Sequence, residues 1–431
     1  MGVSRTTTSA SSGRATRFRS SKRVRPSSLP ALCRIAASPT AELWSPGMQV
    51  IQAVSGVFHH FDLARELESR GHLKCIYSTF PWKRLKREGL PQTRVGNFPW
   101  LHTPWLAVDR YWKVPRSLAF DLAFANFQLF DSWVASRIEE CDAFVALSGS
   151  GLKTGGVVRG RSGKYVCDRG SSHIRYQDAI LTEEYARWGL SEKVCDPRMI
   201  EREEAEYAEA DAITIASEFS RRTFIEMGVP AGKIYKIPYG VRLERFRQTA
   251  EPAKDRFEVL FAGQVSLRKG VPYLIEAFRL LKHPAKRLRL VGSVDPAMKT
   301  LLDKMDLSGV EVLGRMPQEK LAECMSSSHV LVLPSVEDGF GLVMAQAMAC
   351  GVVIVSSVNT GGPDLYEDGK EGFIVPIRDP QAIANRLQQL AEDPALRQRM
   401  SEASLRRVRN IGGWSEYGEQ YTNFLKQLTG A

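Results

Sequence analysis

Short apolar runs alternate with amphipathic stretches along most of the chain. The runs at 48–54, 74–78, 142–148, 164–168 and 211–217 have the composition of buried strands. Helical patterns lie between several of them, and the best marked cover 61–70, which is followed by Gly71, and the acidic stretch 196–210. Such alternation predicts a parallel sheet with helices on both faces. Residues 80–133 differ, because they are rich in Trp, Phe, Arg and Lys and show weaker strand signals.

A second series of the same kind fills the later half of the chain. A strand predicted over 233–241 leaves the first series at Pro238 and Gly240, and the next apolar run begins at 257. Further runs occupy 287–292, 310–314, 330–334 and 352–357, and an amphipathic helix is predicted over 414–428. A chain of 431 residues is too long for one ordinary core, so we expect two Rossmann-like domains.

The segment from Ser335 to Gly351, SVEDGFGLVMAQAMACG, combines an acidic pair, a glycine-flanked phenylalanine and an apolar helix. Strand patterns lie on both sides of it, so the unit is strand, loop, helix, strand. In parallel sheets ligands collect where strand carboxyl ends meet helix amino ends, and glycines there let a ligand approach the backbone. The segment is therefore predicted to be a ligand loop.

Asp338-Gly-Phe-Gly, with Gln346 eight positions after the aspartate, resembles the donor-site signature of the family 4 retaining glycosyltransferases. That family usually has glutamate at both positions. The resemblance covers residues 48–428 and implies the GT-B architecture, in which two Rossmann-like domains face each other across a cleft. It implies an acceptor domain over 48–238, a nucleotide-sugar donor domain over 239–412, and a helix over 413–431 that crosses back to the first domain.

The resemblance also implies roles within this loop. Asp338 would contact the donor sugar, and Gly339, Phe340, Gly341 and Leu342 would meet the sugar and the phosphates through the backbone. Gln346 would contact the ribose, although it lacks the charge that makes such hydrogen bonds about twice as strong. Asp338 is shorter than glutamate, so Glu337 is the alternative residue to reach the sugar.

A second loop, FAGQVSLRKG at 261–270, ends a strand with Gly263 and carries two adjacent cations. In the family an arginine and a lysine of this loop hold the donor diphosphate. Lys269 matches the lysine, Gln264 replaces the arginine, and Arg268 is the candidate to restore its charge. The alternative is an ordinary solvated turn.

Weaker donor candidates lie further along the chain. Arg315 and Met316 occupy the place where the family holds the nucleotide base, but Arg315 would equally suit water. Gly361 and Gly362 precede a helix that begins with proline, and such a helix start can face a phosphate. An ordinary turn is the alternative there.

Two segments of the first domain are candidates to bind the acceptor. Gly56 follows the first strand and resembles the family's glycine loop, with His59 and His60 close behind it. The segment Asp168 to Gln177 follows a strand and is dense in polar residues, which need water or a ligand when they are buried. Its candidates are Arg169 and His173, with a solvated loop as the alternative. The predicted catalytic residues are Asp338, His173 and Lys269.

The net charge of +11 does not indicate nucleic acid binding, because residues 1–47 alone carry eight basic residues and one acid. This leader lacks the apolar core of a secretory signal, and we expect it to be disordered. Its composition resembles a transit peptide, but a start codon placed upstream of the natural Met48 explains it more simply. Seven scattered cysteines without a C-x-x-C pair indicate a reducing compartment and no structural metal, and we expect a cytoplasmic protein.

Trp82 lies among four basic residues in FPWKRLKREGLP, Phe80 to Pro91. This composition suits a peripheral contact with the inner face of an anionic membrane or a lipid-linked acceptor, and a solvated surface is the alternative. The leading hypothesis is thus a retaining, metal-independent glycosyltransferase without a cofactor, which moves a hexose from a nucleotide-diphosphate sugar to a hydroxyl of a glycan, glycolipid or polysaccharide precursor. A sugar-nucleotide epimerase or phosphorylase of the same architecture, and a non-catalytic nucleotide-sugar-binding partner, are the alternatives.

Overall fold

The computed structural model describes residues 47–104, 115–191 and 193–431. The predicted disordered leader falls on residues 1–46, which lie outside the described residues. In the part of the chain that is described, no helix combines the length and the apolarity needed to span a bilayer.

The first domain contains a seven-stranded parallel sheet in the order β3-β2-β1-β4-β5-β6-β7. Its strands are β1 Val50–Val54, β2 Leu73–Ser78, β3 Val95–Asn97, β4 Ala143–Leu147, β5 Lys164–Arg169, β6 Ala212–Ile215 and β7 Ile234–Lys236. The central strands are buried on both faces, which explains their nearly continuous apolar sequences. The strand β3 lies within residues 80–133, where the strand signals were weak.

Seven helices of the first domain are described. They are α1 His60–Ser69, α2 Trp82–Leu85, α3 Arg116–Ala135, α4 Leu152–Arg159, α5 Ile174–Arg187, α6 Pro197–Glu209 and α7 Glu218–Glu226. The predicted helices over 61–70 and 196–210 correspond to α1 and α6. Asp196 caps α6 by accepting a hydrogen bond from the backbone of Arg198, and Pro197 suits the first helical position.

The second domain contains a six-stranded parallel sheet in the order β10-β9-β8-β11-β12-β13. Its strands are β8 Phe257–Ala262, β9 Lys286–Val291, β10 Val310–Gly314, β11 Val330–Leu333, β12 Val353–Ser357 and β13 Gly372–Val375. Its helices are α8 Val271–Leu280, α9 Pro296–Leu302, α10 Gln318–Ser326, α11 Leu342–Ala349, α12 Gly362–Leu365, α13 Pro380–Glu392 and α14 Pro394–Ile411. The edge strand β13 was not predicted, because its sequence GFIV begins with glycine, which is uncommon in strands.

The chain passes between the domains twice, and the two passages touch. A β-carbon on Gly240 would lie 2.3 Å from the carbonyl oxygen of Gly413, so no larger residue fits at this point of closest approach. The last helix, α15 Trp414–Thr429, then packs against α1 of the first domain. There Tyr421 hydrogen-bonds Thr214 at 3.0 Å, so the end of the chain is anchored in the first domain's core.

Candidate active site

A cavity of about 1040 Å³ lies where the carboxyl ends of the two sheets face each other. Both domains supply its walls. Ten of the residues that the sequence singled out line it: Gly56, His59, Arg169, Gly263, Arg268, Lys269, Asp338, Phe340, Gly341 and Leu342. The two series of strands thus bring the predicted acceptor and donor loops to one space.

The loop before α11 has a backbone that only glycine suits. Gly341 has a φ of +75°, and a β-carbon there would lie 2.7 Å from the side chain of Leu333. The helix begins at the next residue, Leu342, which lines the cavity. The first turn of α11 therefore faces the cavity, and helix amino ends favour anionic ligands.

Lys269 and Asp338 form an ion pair on the cavity wall. Both side chains are mostly buried. The turn that carries Lys269 is held tightly to β11, since a β-carbon on Gly270 would lie only 2.0 Å from the carbonyl oxygen of Pro334. The two predicted donor loops consequently meet through a cation and a carboxylate.

Glu337 points the other way and joins the domains. Its carboxylate accepts hydrogen bonds from the Oγ atoms of Ser171 and Ser172 (2.7 Å each), the amide of Ser172 (3.1 Å), Nε2 of Gln177 (2.9 Å) and Nε of Arg268 (2.7 Å). Burial alone would raise the pKa of Glu337, but Arg268 and these donors hold it well below its usual range. The side chain is fully buried and does not line the cavity. Its contacts are those of an interdomain link rather than of a sugar ligand.

Gly339 makes a second contact between the domains. Its carbonyl oxygen accepts hydrogen bonds from Oγ of Ser217 (2.5 Å) and Oγ of Ser220 (3.2 Å), both in the first domain. A β-carbon on Gly339 would lie 2.2 Å from the carbonyl oxygen of Gly170. Glycine is therefore required here so that the two loops can touch.

Two histidines converge on one buried carboxylate beneath the cavity. Oδ2 of Asp168 lies 2.5 Å from Nε2 of His59 and 3.1 Å from Nε2 of His60, and Thr214 donates to Oδ1 at 2.6 Å. Burial alone would raise the pKa of Asp168, but the charge and hydrogen bond of His59, with those of His60, hold it well below its usual range. These residue types also bind metal ions, and one ligand atom from each lies within 4.8 Å of the others. Their separations here are those of hydrogen bonds and close ion pairs.

Tyr239, in the first passage between the domains, connects the two halves of the cavity. Its ring centroid lies 4.3 Å from that of His59 and 5.3 Å from that of Phe340. Its hydroxyl is buried and has no hydrogen-bond partner among the described residues. The sequence did not identify Tyr239, because a single tyrosine after a strand carries no functional signal.

Arg169 and His173 have different surroundings. Arg169 lines the cavity, and its guanidinium donates to Glu203 at 2.6 Å and to Gln177 at 2.9 Å. His173 caps α5, and Nδ1 accepts a hydrogen bond from the amide of Arg175. It packs between aromatic rings and does not line the cavity, and burial lowers its pKa to about 4. The structure thus places His173 as a helix cap rather than beside the reacting sugar.

The remaining donor candidates lie outside the cavity lining. Gln264 and Arg315 are exposed, and Met316 and Gln346 are half-buried. Gly361 is packed beneath Phe340, and its amide donates to the Phe340 carbonyl at 2.9 Å. Gly362 is equally buried, so the start of the four-residue helix α12 supports Phe340 instead of facing the cavity.

The sequence of the second domain matches a known family. Residues 243–407 match the family model of Glycosyl transferases group 1. The chain is 33% identical over 173 residues to a putative colanic acid biosynthesis glycosyltransferase, WcaL, of Salmonella typhimurium, which covers 37% of this chain and 43% of the relative. It is 33% identical over 205 residues to a D-inositol 3-phosphate glycosyltransferase of Streptomyces avermitilis, which covers 42% of this chain and 44% of the relative. The matches thus span less than half the length of these relatives.

Solved structures resemble the chain over nearly all its length. Sucrose-phosphate synthase from Thermosynechococcus elongatus superposes with a TM-score of 0.67 and 21% identity, covering 89% of this chain and 99% of that one. HepE from Anabaena, solved in complex with UDP, gives 0.64 and 15%, covering 88% and 100%. At these identities the likeness shows the fold, and the predicted GT-B architecture is confirmed. The chain thus has the GT-B fold, and its residues 243–407 match the family model of Glycosyl transferases group 1.

Proposed function

We propose that this protein is a retaining glycosyltransferase that moves a hexose from a nucleotide-diphosphate sugar to an acceptor hydroxyl, without a metal ion. The observation that carries the proposal is the Lys269–Asp338 pair at the start of α11, within a domain that matches group 1 glycosyltransferases. The acceptor would be a glycan, a glycolipid or a polysaccharide precursor, in keeping with relatives named for the biosynthesis of colanic acid and of capsular polysaccharide.

The donor diphosphate would lie between Lys269, Arg268 and the first turn of α11. Both cations line the cavity, and each is paired with a carboxylate, Lys269 with Asp338 and Arg268 with Glu337. A diphosphate brings negative charge to the same cations, so Lys269 would exchange its carboxylate partner for phosphate. That exchange would free Asp338 to accept hydrogen bonds from the hydroxyls of the donor sugar.

The acceptor would enter from the first domain, where His59 and Arg169 line the opposite wall. Its hydroxyl would attack the anomeric carbon on the face from which the diphosphate leaves. The bond from that carbon to the phosphate oxygen breaks, and the leaving phosphate takes the hydroxyl proton, so retention needs no enzymatic nucleophile. Cations and helix amides that stabilise the leaving charge would make a metal ion unnecessary.

The first test is a thermal-shift screen with UDP, GDP and ADP sugars. A ligand present at a hundred times its Kd raises the free energy of unfolding by about 2.7 kcal/mol. Lys269→Ala and Asp338→Ala should then abolish transfer while the melting temperature without ligand changes little. Normal turnover in both variants would contradict the assignment.

Three controls separate the alternatives. Interconversion of donor sugars without an acceptor would indicate an epimerase, and release of a sugar phosphate in the presence of inorganic phosphate would indicate a phosphorylase. Binding of a nucleotide sugar without any transfer, interconversion or phosphorolysis would indicate a non-catalytic binding partner. Retention predicts a product with the donor's anomeric configuration by NMR, and metal independence predicts full turnover in EDTA, where bound metal at His59 and Asp168 would be removed.

A further inference from the structure

Part of the first-domain wall of the cavity is apolar. Val57, Phe58, Phe80 and Leu147 line it together with one face of α3. The α3 residues that reach the cavity, Ala123, Asn126 and Phe127, follow the three- and four-residue spacing of a single helix face. An acceptor made only of sugar would leave these apolar side chains without an apolar partner.

Phe58 is held in a conformation that bulky residues rarely adopt. Its φ is +43°, and 63% of its surface is exposed at the cavity. A strained backbone that presents an apolar ring to solvent gains little for the fold itself, and such strain is concentrated at ligand sites. Trp100, two residues before the cavity residue His102, is 75% exposed.

Asn126 is a buried polar residue beside this apolar part of the wall. Asn126 is 5% exposed, Nδ2 donates to Oγ of Ser55 at 3.4 Å, and Oδ1 has no hydrogen-bond partner among the described residues. Both residues line the cavity. A buried carbonyl oxygen without a partner is costly, so it marks a place where a ligand hydroxyl would be bound.

A basic turn adjoins the same wall. The guanidinium of Arg84 lies 5.8 Å from the ring centroid of Phe80, and Phe80 stacks on His102 at 5.0 Å. Arg84, Lys83, Lys86 and Arg87 are all exposed. The apolar wall therefore lies next to a cluster of positive charge, which complements a molecule with an apolar chain and an anionic group.

We propose that this part of the cavity binds an acceptor in which the sugar that bears the accepting hydroxyl is linked to a lipid phosphate. The hydrocarbon chain lies against Phe58, Phe80 and Phe127, the phosphate lies near Arg84, and Asn126 accepts a hydrogen bond from the acceptor's sugar. This inference rests on the proposed transferase function and names the class of its acceptor.

Calorimetry on the full chain tests the proposal with three probes: farnesyl phosphate, farnesol and inorganic phosphate. We expect farnesyl phosphate to bind with UDP, GDP or ADP present at saturation, and farnesol and inorganic phosphate to bind at least tenfold more weakly. Phe58→Asn should weaken farnesyl phosphate binding about tenfold, the effect of losing one buried apolar side chain. Asparagine tolerates positive φ, so this variant should keep or raise the melting temperature. Arg84→Gln should weaken farnesyl phosphate without affecting farnesol.

Leu129→Gln is the matched control. Leu129 lies on α3 and is 53% exposed but does not line the cavity, so its substitution should leave farnesyl phosphate binding unchanged. Equal affinity in Phe58→Asn and the unaltered protein would overturn the proposal. So would displacement of farnesyl phosphate by nucleotide, which would place it in the donor half. Failure of all three nucleotides to bind would count against the transferase function, while the responses to Phe58→Asn and Arg84→Gln would still decide whether the amphiphile site exists.

Discussion

Glu337 and Asp338 are adjacent carboxylates with different predicted roles. Substitution of Glu337 should mainly lower the melting temperature, and substitution of Asp338 should mainly lower turnover. In Glu337→Gln the oxygen that accepts from Gln177 and Arg268 becomes an NH₂ group, which cannot accept either hydrogen bond. Both bonds are made to a charged carboxylate, and a hydrogen bond to a charged group contributes about 1.5–3 kcal/mol. Arg268 is about one-third exposed, so water offsets part of the contribution of its bond. The expected loss is therefore about 3 kcal/mol.

Thermal unfolding measures this loss. Unfolding entropy is about 2.1 cal/mol/K per residue, so for a chain of 431 residues a loss of about 3 kcal/mol corresponds to a melting temperature lower by roughly 3 °C. Asp338→Asn removes only the carboxylate partner of Lys269, and water in the cavity can replace that partner. This variant should therefore lower the melting temperature by only about 1 °C. Turnover should fall tenfold or more in Asp338→Asn, since the sugar loses a charged acceptor.

Comparison of Glu337→Gln with Asp338→Asn tests whether Glu337 links the domains or binds the sugar. If Glu337 were a sugar ligand, Glu337→Gln would lose activity in proportion to Asp338→Asn and keep its melting temperature. An equal drop of melting temperature in both variants would also refute the division of roles. Ser172→Ala, which removes another donor to Glu337, should lower the melting temperature in the same direction and by less.

Three further substitutions test other parts of the structure. Gly339→Ala should abolish turnover while leaving the helical circular dichroism unchanged, since its β-carbon would collide with the backbone of Gly170 when the domains are closed; normal turnover would refute this. His173→Asn should keep the helix cap and the activity but remove part of the acid sensitivity. The folded pKa of His173, about 4, is below the ordinary 6.5, so its contribution to stability is complete above about pH 6.5 and is lost as the pH falls toward 4. Between pH 6.5 and pH 4 the free energy of unfolding, measured in urea titrations, should therefore fall by about 2–3 kcal/mol less in His173→Asn than in the unaltered protein. Gln346→Glu should tighten nucleotide binding several-fold by calorimetry if Gln346 contacts the ribose, because a charged acceptor forms the stronger hydrogen bond.

Much of the fold could be predicted because parallel strands buried on both faces need nearly continuous apolar sequence. The run Val330–Leu333 and the run Val353–Ser357 were visible for that reason, and they bracket the donor loop. The loop itself was visible because glycines, an acid and a helix start lie within a few residues of one another. A site built from residues that are close together in the sequence can be predicted from the sequence.

The roles of neighbouring acids could not be predicted in the same way. Glu337 is linked to Ser171 and Gln177 across 166 and 160 positions of chain, and no local pattern records such a pairing. His173 was predicted to be catalytic because it lies in a polar segment that follows a strand, yet the same position serves as the cap of α5. Side-chain direction within a loop depends on backbone angles and on the facing domain, and a single sequence reveals neither.

The contact between Gly240 and Gly413 bears on how the cavity could open. Two chain passages that touch at one point form a pivot, whereas two widely separated passages would form a tether on each side of the cleft. Rotation about that pivot would separate Gly339 from Gly170 and Glu337 from Ser171, while Tyr239, next to Gly240 in sequence, would move least. The ring contact between Tyr239 and His59 would then survive in an open molecule. Substrates would meet an acceptor wall that is already in place, and the donor loop would join it when the domains close.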